Sequence, residues 1–323
     1  MKIAIDITGG DLAPKAPRDA AIKFAKDHPE VELVLLGYEQ DLDMELPTNI
    51  TKHFVTQTVE MCDDPRSLLE KKDSAIYQGS LMLKNKEVDA FASSGSSGGL
   101  VAAGVQVVKR IGKNRPAFPI FFPNQEKGTM RMYLDVGATA DAQAPHIVNY
   151  AHLGKIYAQS MLGIENPNIK LLNIGAEPSK GNTVYREAYQ LLEQDENINF
   201  TGNVEGYNVL DTEADIIVME GFVGNVLLKT LEGSFDMFKS RLKQMMLKNL
   251  KGKLSALLLK KELVQFKEDF NPHKIACAPI LGIDGLMVKI HGSAKEYNYY
   301  NAYGEAVRLV ENELIRKLKE NEL

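Results

Sequence analysis

Short apolar runs alternate with longer segments of helical periodicity along almost the whole chain. The first run, from Lys2 to Ile7, is interrupted only by Asp6 and predicts a buried strand. Such runs predict strands at 2–7, 31–36, 88–92, 117–122, 131–136, 169–174, 214–219 and 285–290. Helical spacing predicts helices at about 16–27, 74–86, 98–110, 145–162, 183–194, 224–247 and 295–320. This alternation favours a mainly parallel sheet covered on both faces, in one continuous α/β unit over residues 1–323, with or without two lobes around a cleft.

The composition, 44% hydrophobic and 25% charged over 323 residues, is that of an ordinary globular protein. No apolar run reaches the roughly 18 residues that indicate a transmembrane helix. The first residues resemble a strand rather than a signal peptide, and Cys62 and Cys277 are isolated in sequence. We therefore expect a cytoplasmic protein.

The net charge of −5 is unevenly distributed along the chain. Between Lys239 and Lys267, nine basic residues accompany a single acid, Glu262. Charge concentrated in this way is typical of a surface that meets a partner.

Small and polar residues follow several predicted strands. Gly9-Gly10-Asp11 comes after the first strand, and Ser93 to Gly99 follows the strand at 88–92. Open α/β sheets bind ligands at the carboxyl ends of their strands, and glycine lets the backbone approach a ligand closely. The N–H groups at a helix start also favour phosphate. For one such loop alone, a serine that merely caps the next helix explains the pattern equally well.

Three further junctions carry charged or amide side chains, namely Asp135, Lys180 and Asn225. A lysine held between a strand and a helix can neutralise phosphate or a developing oxyanion, although most loop lysines are simply solvated. Asn225 opens a long helix, either as its N-cap or as a donor to a ligand. Together the loops predict a crevice for an anionic, phosphate-bearing substrate.

Motifs of several other chemistries are missing from the sequence. Neither the P-loop nor the Rossmann glycine pattern occurs, and there is no H-E-x-x-H zinc motif. Cys277 has no identifiable base that would make it a nucleophile. We expect neither a metal nor a cofactor.

An ordered set of short blocks extends over nearly the whole chain. The blocks are Asp6-x-x-Gly-Gly-Asp11, Lys71-Lys-Asp-Ser74, Leu134-Asp-Val-Gly-Ala138, Leu172-Asn-Ile-Gly175, Lys180-Gly-Asn182, Gly202-Asn-Val-Glu-Gly206, Gly221-Phe-x-Gly-Asn-Val226, Lys229-Thr-x-Glu-Gly233, Ala278-Pro-x-Leu-Gly282 and His291-Gly-Ser293. With these blocks the chain resembles the bacterial phosphate acyltransferases of phospholipid synthesis, the PlsX family.

The resemblance implies transfer of a fatty acyl group from acyl-(acyl carrier protein) to inorganic phosphate, which gives acyl phosphate. It also implies a homodimer without a cofactor, and a three-layer α/β/α fold like that of isopropylmalate dehydrogenases and phosphotransacetylases. Lys180 and Asn225 match the family's catalytic lysine and asparagine. Predicted substrate-binding residues are Asp6, Gly9, Gly10, Asp11, Ser96, Ser97, Gly98, Asp135, Gly181, Asn182, Glu205, Gly224, His291 and Ser293.

The resemblance also gives a role to the basic stretch. The segment at about 231–268 resembles the family's membrane-touching helices, with contact expected from Leu254, Leu257, Leu258, Leu259, Lys260 and Lys261. We therefore expect peripheral association with the anionic inner face of the cell membrane, and no nucleic-acid partner. A dimer-core helix with a solvated basic face, or docking of acidic carrier protein, would explain the same pattern.

The chain departs from the family pattern at several positions. The family usually has His at Leu12, Asn-Thr at Ser96-Ser97, Asn at Thr139, Arg at Tyr207 and Thr at Val223. Several of these changes remove polar groups from the predicted crevice. Two alternatives therefore accompany the main hypothesis: a phosphotransacetylase-like enzyme that uses short acyl-coenzyme A, and a low-activity, membrane-associated interaction protein. The long apolar and basic segment argues against the short-chain enzyme.

Overall fold

The computed structural model describes residues 1–124, 129–269 and 277–321, with side chains described for 1–124, 130–264 and 277–321. The chain forms two compact units. Unit 1 comprises Met1–Pro119, His152–Glu165 and Ile275–Leu323, and unit 2 comprises Ile120–Ala151 and Asn166–Lys274.

Strands and helices alternate through the described residues. The strands are β1 (Lys2–Asp6), β2 (Glu32–Gly37), β3 (Ile50–Phe54), β4 (Ala90–Ser93), β5 (Ile120–Asn124), β6 (Thr129–Leu134), β7 (Asn168–Asn173), β8 (Asn199–Glu205), β9 (Ile216–Val218), β10 (Cys277–Pro279) and β11 (Leu286–Ile290). The α-helices are α1 (Lys15–Asp27), α2 (Glu39–Leu42), α3 (Ala75–Lys84), α4 (Ser97–Ala103), α5 (Ala144–Tyr157), α6 (Thr183–Gln194), α7 (Gly221–Leu247), α8 (Leu250–Leu258), α9 (Lys260–Asp269), α10 (Glu296–Glu311) and α11 (Leu314–Glu320). A 3₁₀ turn covers Pro65–Leu69, and π-helical turns extend α4 over Gly104–Val108 and α5 over Ala158–Leu162.

The sheet of unit 1 has six strands in the order β10-β11-β4-β1-β2-β3. All neighbours are parallel except β10, which runs antiparallel to β11. The inner strands β1 and β4 are buried almost throughout, and α3 and α10 pack against β4. Because β11, β4 and β1 are adjacent, the loops after all three leave the same edge of the sheet.

The sheet of unit 2 has five strands in the order β5-β6-β9-β7-β8. Strands β6, β9, β7 and β8 are parallel, and β5 pairs antiparallel with β6. The carboxyl ends of β6, β9 and β7 are therefore side by side. The predicted α/β class, with mainly parallel sheets, is confirmed.

Each predicted strand and helix overlaps an observed one, but three helices end differently from the prediction, and the one predicted at 145–162 ends as the π-helical turn Ala158–Leu162. The helix predicted at 295–320 is divided into α10 and α11 at Glu313, whose φ is +53°. The helix predicted at 98–110 ends as the π-helical turn Gly104–Val108. Strands β3, β8 and β10 were not predicted, and each forms an edge of its sheet.

Helices α7 and α8 bury little of their own surface, and residues 260–264 of α9 are exposed or half-buried. In α7 only Gly221 and Gly224 are fully buried, and in α8 no residue is. Among the described residues, no helix is both long and apolar enough to cross a membrane.

Candidate functional site

In unit 1, the loops after β1, β4 and β11 are joined by hydrogen bonds. The Ser94 hydroxyl donates to the carbonyl oxygen of Gly9 over 2.7 Å. The N–H of Asp11 donates to the carbonyl oxygen of Gly292 over 2.8 Å. Three loops predicted to carry substrate-binding residues thus form one connected edge.

The glycine pair after β1 is required by the closeness of these loops. A Cβ on Gly9 would lie 2.5 Å from the backbone nitrogen of Gly95. Gly10 has a φ of +93°, and a Cβ there would lie 2.6 Å from the hydroxyl of Tyr299. That hydroxyl donates to Ser94 over 2.7 Å, and burial raises the pKa of Tyr299 to about 12. The pair therefore allows the loops after β4 and β11 and the side chain of Tyr299 to pack directly on the loop after β1.

Two of the predicted binding residues in unit 1 hold the loops themselves. The buried Asp6 carboxylate accepts hydrogen bonds from Ser93 over 2.6 Å and from the N–H of Thr8 over 2.8 Å. The Ser96 hydroxyl accepts from the N–H of Gly99 over 3.2 Å and caps α4. By contrast, the predicted residues with exposed surface at this edge are Asp11, Ser97, His291 and Ser293, and Gly98 is half-buried.

Gly95-Ser96-Ser97-Gly98-Gly99 matches the G-x-S-x-G spacing of a nucleophile elbow between a strand and a helix. The elbow holds its serine on a sharp, strained turn. Ser97 is instead the first residue of α4, and it is not among the described residues with positive φ. The backbone here does not have the form of an elbow.

In unit 2, Asp135, Lys180 and Asn225 lie after β6, β7 and β9, which are neighbours in the sheet. Asp135 directly follows β6, Lys180 lies between β7 and α6, and Asn225 lies in the first turns of α7. The structure thus places all three residues at one edge of a single sheet.

Asp135 is fully buried and shapes the turn after β6. Its carboxylate accepts hydrogen bonds from the N–H groups of Gly137, Ala138 and Thr139, at 2.7–3.1 Å. The start of α7 packs directly on this turn, because a Cβ on Gly224 would lie 1.9 Å from the Asp135 carbonyl oxygen. A small residue at that position therefore lets α7 begin next to the turn.

The loop that carries Lys180 is held by two asparagines of neighbouring strands, Asn173 at the end of β7 and Asn203 in the last three residues of β8. Asn173 donates to the carbonyl oxygen of Lys180 over 3.2 Å, and Asn203 donates to that of Glu177 over 3.0 Å. The two amides also bond to each other over 3.2 Å. The Lys180 side chain is 46% exposed, and its ammonium lies 4.0 Å from Glu177. The backbone is thus fixed while the ammonium can still meet an incoming anion.

The end of the Lys180 loop is connected to the start of α7. Asn182 caps α6 by accepting from the N–H of Tyr185 over 3.0 Å. The Tyr185 hydroxyl in turn accepts from the N–H of Glu220 over 3.2 Å. Burial, together with the charge of Asp141, raises the pKa of the Glu220 carboxyl. Asn225, five residues further on, is exposed.

The remaining predicted residues of unit 2 belong to the same edge. Gly181 has a φ of +95°, next to Lys180, and the half-buried Glu205 is the last residue of β8. The predicted residues therefore form two groups, one in each unit. In the part of the chain that the structure describes, no three His, Cys, Asp or Glu side chains are placed to hold a metal ion.

Known proteins resemble this chain over nearly its whole length. The chain matches the family described as "Fatty acid synthesis protein" over residues 1–317. A phosphate acyltransferase of Staphylococcus aureus (strain MSSA476) is 38% identical over 322 residues, which covers 99% of this chain and 98% of the relative. A phosphate acyltransferase of Staphylococcus epidermidis (strain ATCC 12228 / FDA PCI 1200) matches with the same identity and coverage. The chain therefore belongs to the family described as "Fatty acid synthesis protein".

Solved structures with the same fold are more distant in sequence. A phosphotransacetylase from Streptococcus pyogenes has a TM-score of 0.60 at 12% identity. The match covers 98% of this chain and 94% of the phosphotransacetylase chain. A branched-chain phosphotransacylase from Enterococcus faecalis V583 has a TM-score of 0.55 at 13% identity. The match covers 96% of this chain and 100% of the phosphotransacylase chain. These likenesses confirm the predicted fold relationship with phosphotransacetylases.

The positions that depart from the family pattern have different surroundings. Thr139 acts through its backbone, because its N–H donates to Asp135 and its carbonyl oxygen accepts from Gly221. Leu12 is 46% exposed, and Tyr207 is 94% exposed. Val223 is half-buried in the first turn of α7. The backbone N–H and carbonyl oxygen of residue 139 thus belong to the hydrogen bonds that shape the Asp135 turn.

Proposed function

We propose that this family member transfers a fatty acyl group from acyl-(acyl carrier protein) to inorganic phosphate, giving acyl phosphate for phospholipid synthesis. The observation that carries the proposal is the placement of Lys180 and Asn225 at one sheet edge, in segments linked by Tyr185 and Glu220. Family membership supports phosphate as the acceptor, since the curated relatives are phosphate acyltransferases.

In the proposed reaction, a phosphate oxygen attacks the thioester carbonyl carbon and a C–O bond forms. The C–S bond of the resulting tetrahedral intermediate then breaks, and the thiol of the carrier protein leaves with a proton. Such a reaction needs two reactants held in line and hydrogen-bond donors for the oxyanion. No covalent enzyme intermediate is involved.

Lys180 supplies the positive charge for phosphate or for the developing oxyanion. Its loop is anchored by Asn173 and Asn203, so the ammonium is presented from a fixed backbone. A lysine that is half exposed and 4.0 Å from its nearest carboxylate can exchange that partner for a substrate anion at little cost. Asn225, exposed at the start of α7, orients one reactant with its side-chain amide.

The edge of unit 1 takes part in substrate binding through its backbone and its exposed side chains. The loop after β1 contributes Gly9, Gly10 and Asp11. The loops joined to it by hydrogen bonds carry the other predicted binding residues of this edge, which are Ser97, Gly98, His291 and Ser293. Asp6 and Ser96 act by holding these loops in place.

The segment at about 231–268 is the membrane-contacting part of a single acyltransferase domain that spans the chain. Leu254, Leu257, Leu258 and Leu259 are 46–74% exposed in α8 and at its end, and Lys260 and Lys261 follow them. Exposed leucines next to lysines fit the interface of an anionic bilayer. The protein, as a homodimer, therefore associates peripherally with the inner face of the cell membrane.

A donor assay tests the proposed reaction. Pure protein is incubated with phosphate and either long-chain acyl-(acyl carrier protein) or acetyl-coenzyme A, and acyl phosphate is trapped as its hydroxamate. We expect product from the carrier-protein donor. Product from acetyl-coenzyme A alone would favour the short-chain enzyme, and no product from either donor would favour the interaction protein.

Liposome flotation tests the membrane contact. Leu257→Glu/Leu258→Glu should lose binding to phosphatidylglycerol vesicles while keeping the mass of the wild-type protein in solution. Met61→Glu/Leu69→Glu, which changes exposed apolar residues of unit 1, is the matched control and should still float. Loss of dimer with retained lipid binding would show that the segment is a dimer core.

A further inference from the structure

Three backbone carbonyl groups converge on the ammonium of Lys289. Lys289 lies on β11 directly beside Ser93 of β4. Its Nζ donates to the carbonyl oxygen of Ser94 over 3.0 Å and to those of Gly95 and Ile290 over 2.8 Å each. One side chain thus connects the start of the loop after β4 to the end of β11.

Carbonyl groups that point at one place are stabilised by a cation at that place. The negative ends of carbonyl dipoles that point at one place repel one another, and a positive charge at that place offsets the repulsion. Charge-assisted hydrogen bonds are also stronger than neutral ones. The conformation of Ser94 and Gly95 therefore depends on Lys289.

The same contacts fix the direction of a neighbouring N–H group. In a trans peptide the N–H points opposite to the C=O, and the Gly95–Ser96 bond is trans. With the Gly95 carbonyl directed at Lys289, the Ser96 N–H points away from Lys289. The preceding N–H, that of Gly95, donates to the Ser93 hydroxyl over 3.0 Å. The loop is thus held from both sides, by Lys289 through its carbonyl groups and by Ser93 through an N–H.

We infer that Lys289 is a positioning residue that holds the β4–α4 loop in its phosphate-binding conformation. This inference rests on the proposed function, because the loop carries Ser96, Ser97 and Gly98 of the proposed substrate site. Lys289 acts through the backbone of Ser94 and Gly95. Because the Ser94 hydroxyl donates to the carbonyl oxygen of Gly9, Lys289 also stabilises the loop after β1. It is therefore distinct in role from Lys180, whose ammonium meets the substrate.

Amide hydrogen exchange tests the positioning role without any activity measurement. In Lys289→Met, which keeps most of the unbranched apolar stem but removes the ammonium group, amides of residues 94–99 should exchange about 10-fold faster or more than in the wild type. Lys84→Met, at an exposed lysine of unit 1, is the matched control and should leave exchange there unchanged. If Lys289→Met does not fold, Lys289→Gln takes its place. Unchanged exchange in a folded variant would overturn the inference.

Kinetics with chemical rescue test the effect on the substrate. The KM for phosphate should rise about 10- to 100-fold in Lys289→Met, while the KM for the acyl donor stays at the wild-type value. Lys289→Cys in a Cys62→Ser background, alkylated with 2-bromoethylamine, should regain a phosphate KM near that of the wild type, since Cys277 is buried. An unchanged phosphate KM in Lys289→Met, or no rescue after complete alkylation, would overturn the inference. A wild type that makes no acyl phosphate would refute the proposed function instead, and the exchange result would still decide the role of Lys289.

Discussion

The hydroxyl of Tyr185 accepts a hydrogen bond from the backbone N–H of Glu220 over 3.2 Å. Tyr185 is in the first turn of α6, just after Lys180, and Glu220 immediately precedes α7, which carries Asn225. One tyrosine thus links the two segments that carry the proposed catalytic residues. The segments that carry Lys180 and Asn225 are therefore held together by this hydrogen bond as well as by the order of the strands.

Tyr185→Phe tests the importance of this link. The substitution leaves the ring buried but removes the acceptor for the Glu220 N–H, so the free energy of unfolding should fall by about 1 to 2 kcal/mol. The kcat for acyl phosphate formation should fall as well, because the Lys180 loop and α7 lose a contact. Urea unfolding and steady-state kinetics measure the two effects. Tyr207→Phe, at a side chain that is 94% exposed, should change neither, and equal effects at both tyrosines would contradict the account.

Gly224→Ala tests the packing of α7 on the Asp135 turn. The new Cβ would lie 1.9 Å from the Asp135 carbonyl oxygen. Because backbone must move to relieve this overlap, the variant should be destabilised by about 3 kcal/mol. Gly233→Ala, on the same helix with open space around its new Cβ, should instead gain about 0.5 to 1 kcal/mol. Urea unfolding of both variants measures these changes, and a Gly224→Ala protein as stable as the wild type would be evidence against the observed contact.

Buried strands were predictable from the sequence because their apolar runs face the core on both sides. The strands that were missed are all edges. In β3 only Ile50 is fully buried, and β8 is mostly half-buried, so their sequences lack a continuous apolar run. β10 has three residues and contains a proline, which a sheet accepts at an edge. Edge strands are defined by pairing with a neighbour, and this information is not present in a local pattern.

Glu220→Gln tests the raised pKa of this carboxyl. A pKa raised in the folded state means that the native protein holds the proton more tightly than the unfolded chain does. Stability due to Glu220 is therefore lost as the pH rises through the raised pKa, above the ordinary value of about 4.3. Glu220→Gln should be more stable than the wild type at pH 7 and equal to it near pH 4. Urea unfolding across this range checks the trend, and a difference that does not vary with pH would show that the carboxyl titrates normally.

The placement of Lys180 and Asn225 could be predicted, since parallel strands send their loops to one edge. The residues that hold those loops could not. Asn173 and Asn203 act as a pair only because β7 and β8 are neighbours, and Lys289 reaches its carbonyl groups only because β11 lies beside β4. The sequence signal for the first pair is an asparagine at the end of β7 and another two residues before the end of β8, each followed within three residues by a glycine.

The most direct test of the account is acyl phosphate formation by Lys180→Ala compared with the wild type. The substitution removes the charge proposed to meet phosphate or the oxyanion, and the side chain is 46% exposed, so folding should be unchanged. With long-chain acyl-(acyl carrier protein) and phosphate, kcat/KM should fall by at least about 100-fold, while Lys84→Met stays at the wild-type value. A folded Lys180→Ala protein that makes acyl phosphate at the wild-type rate would contradict the account.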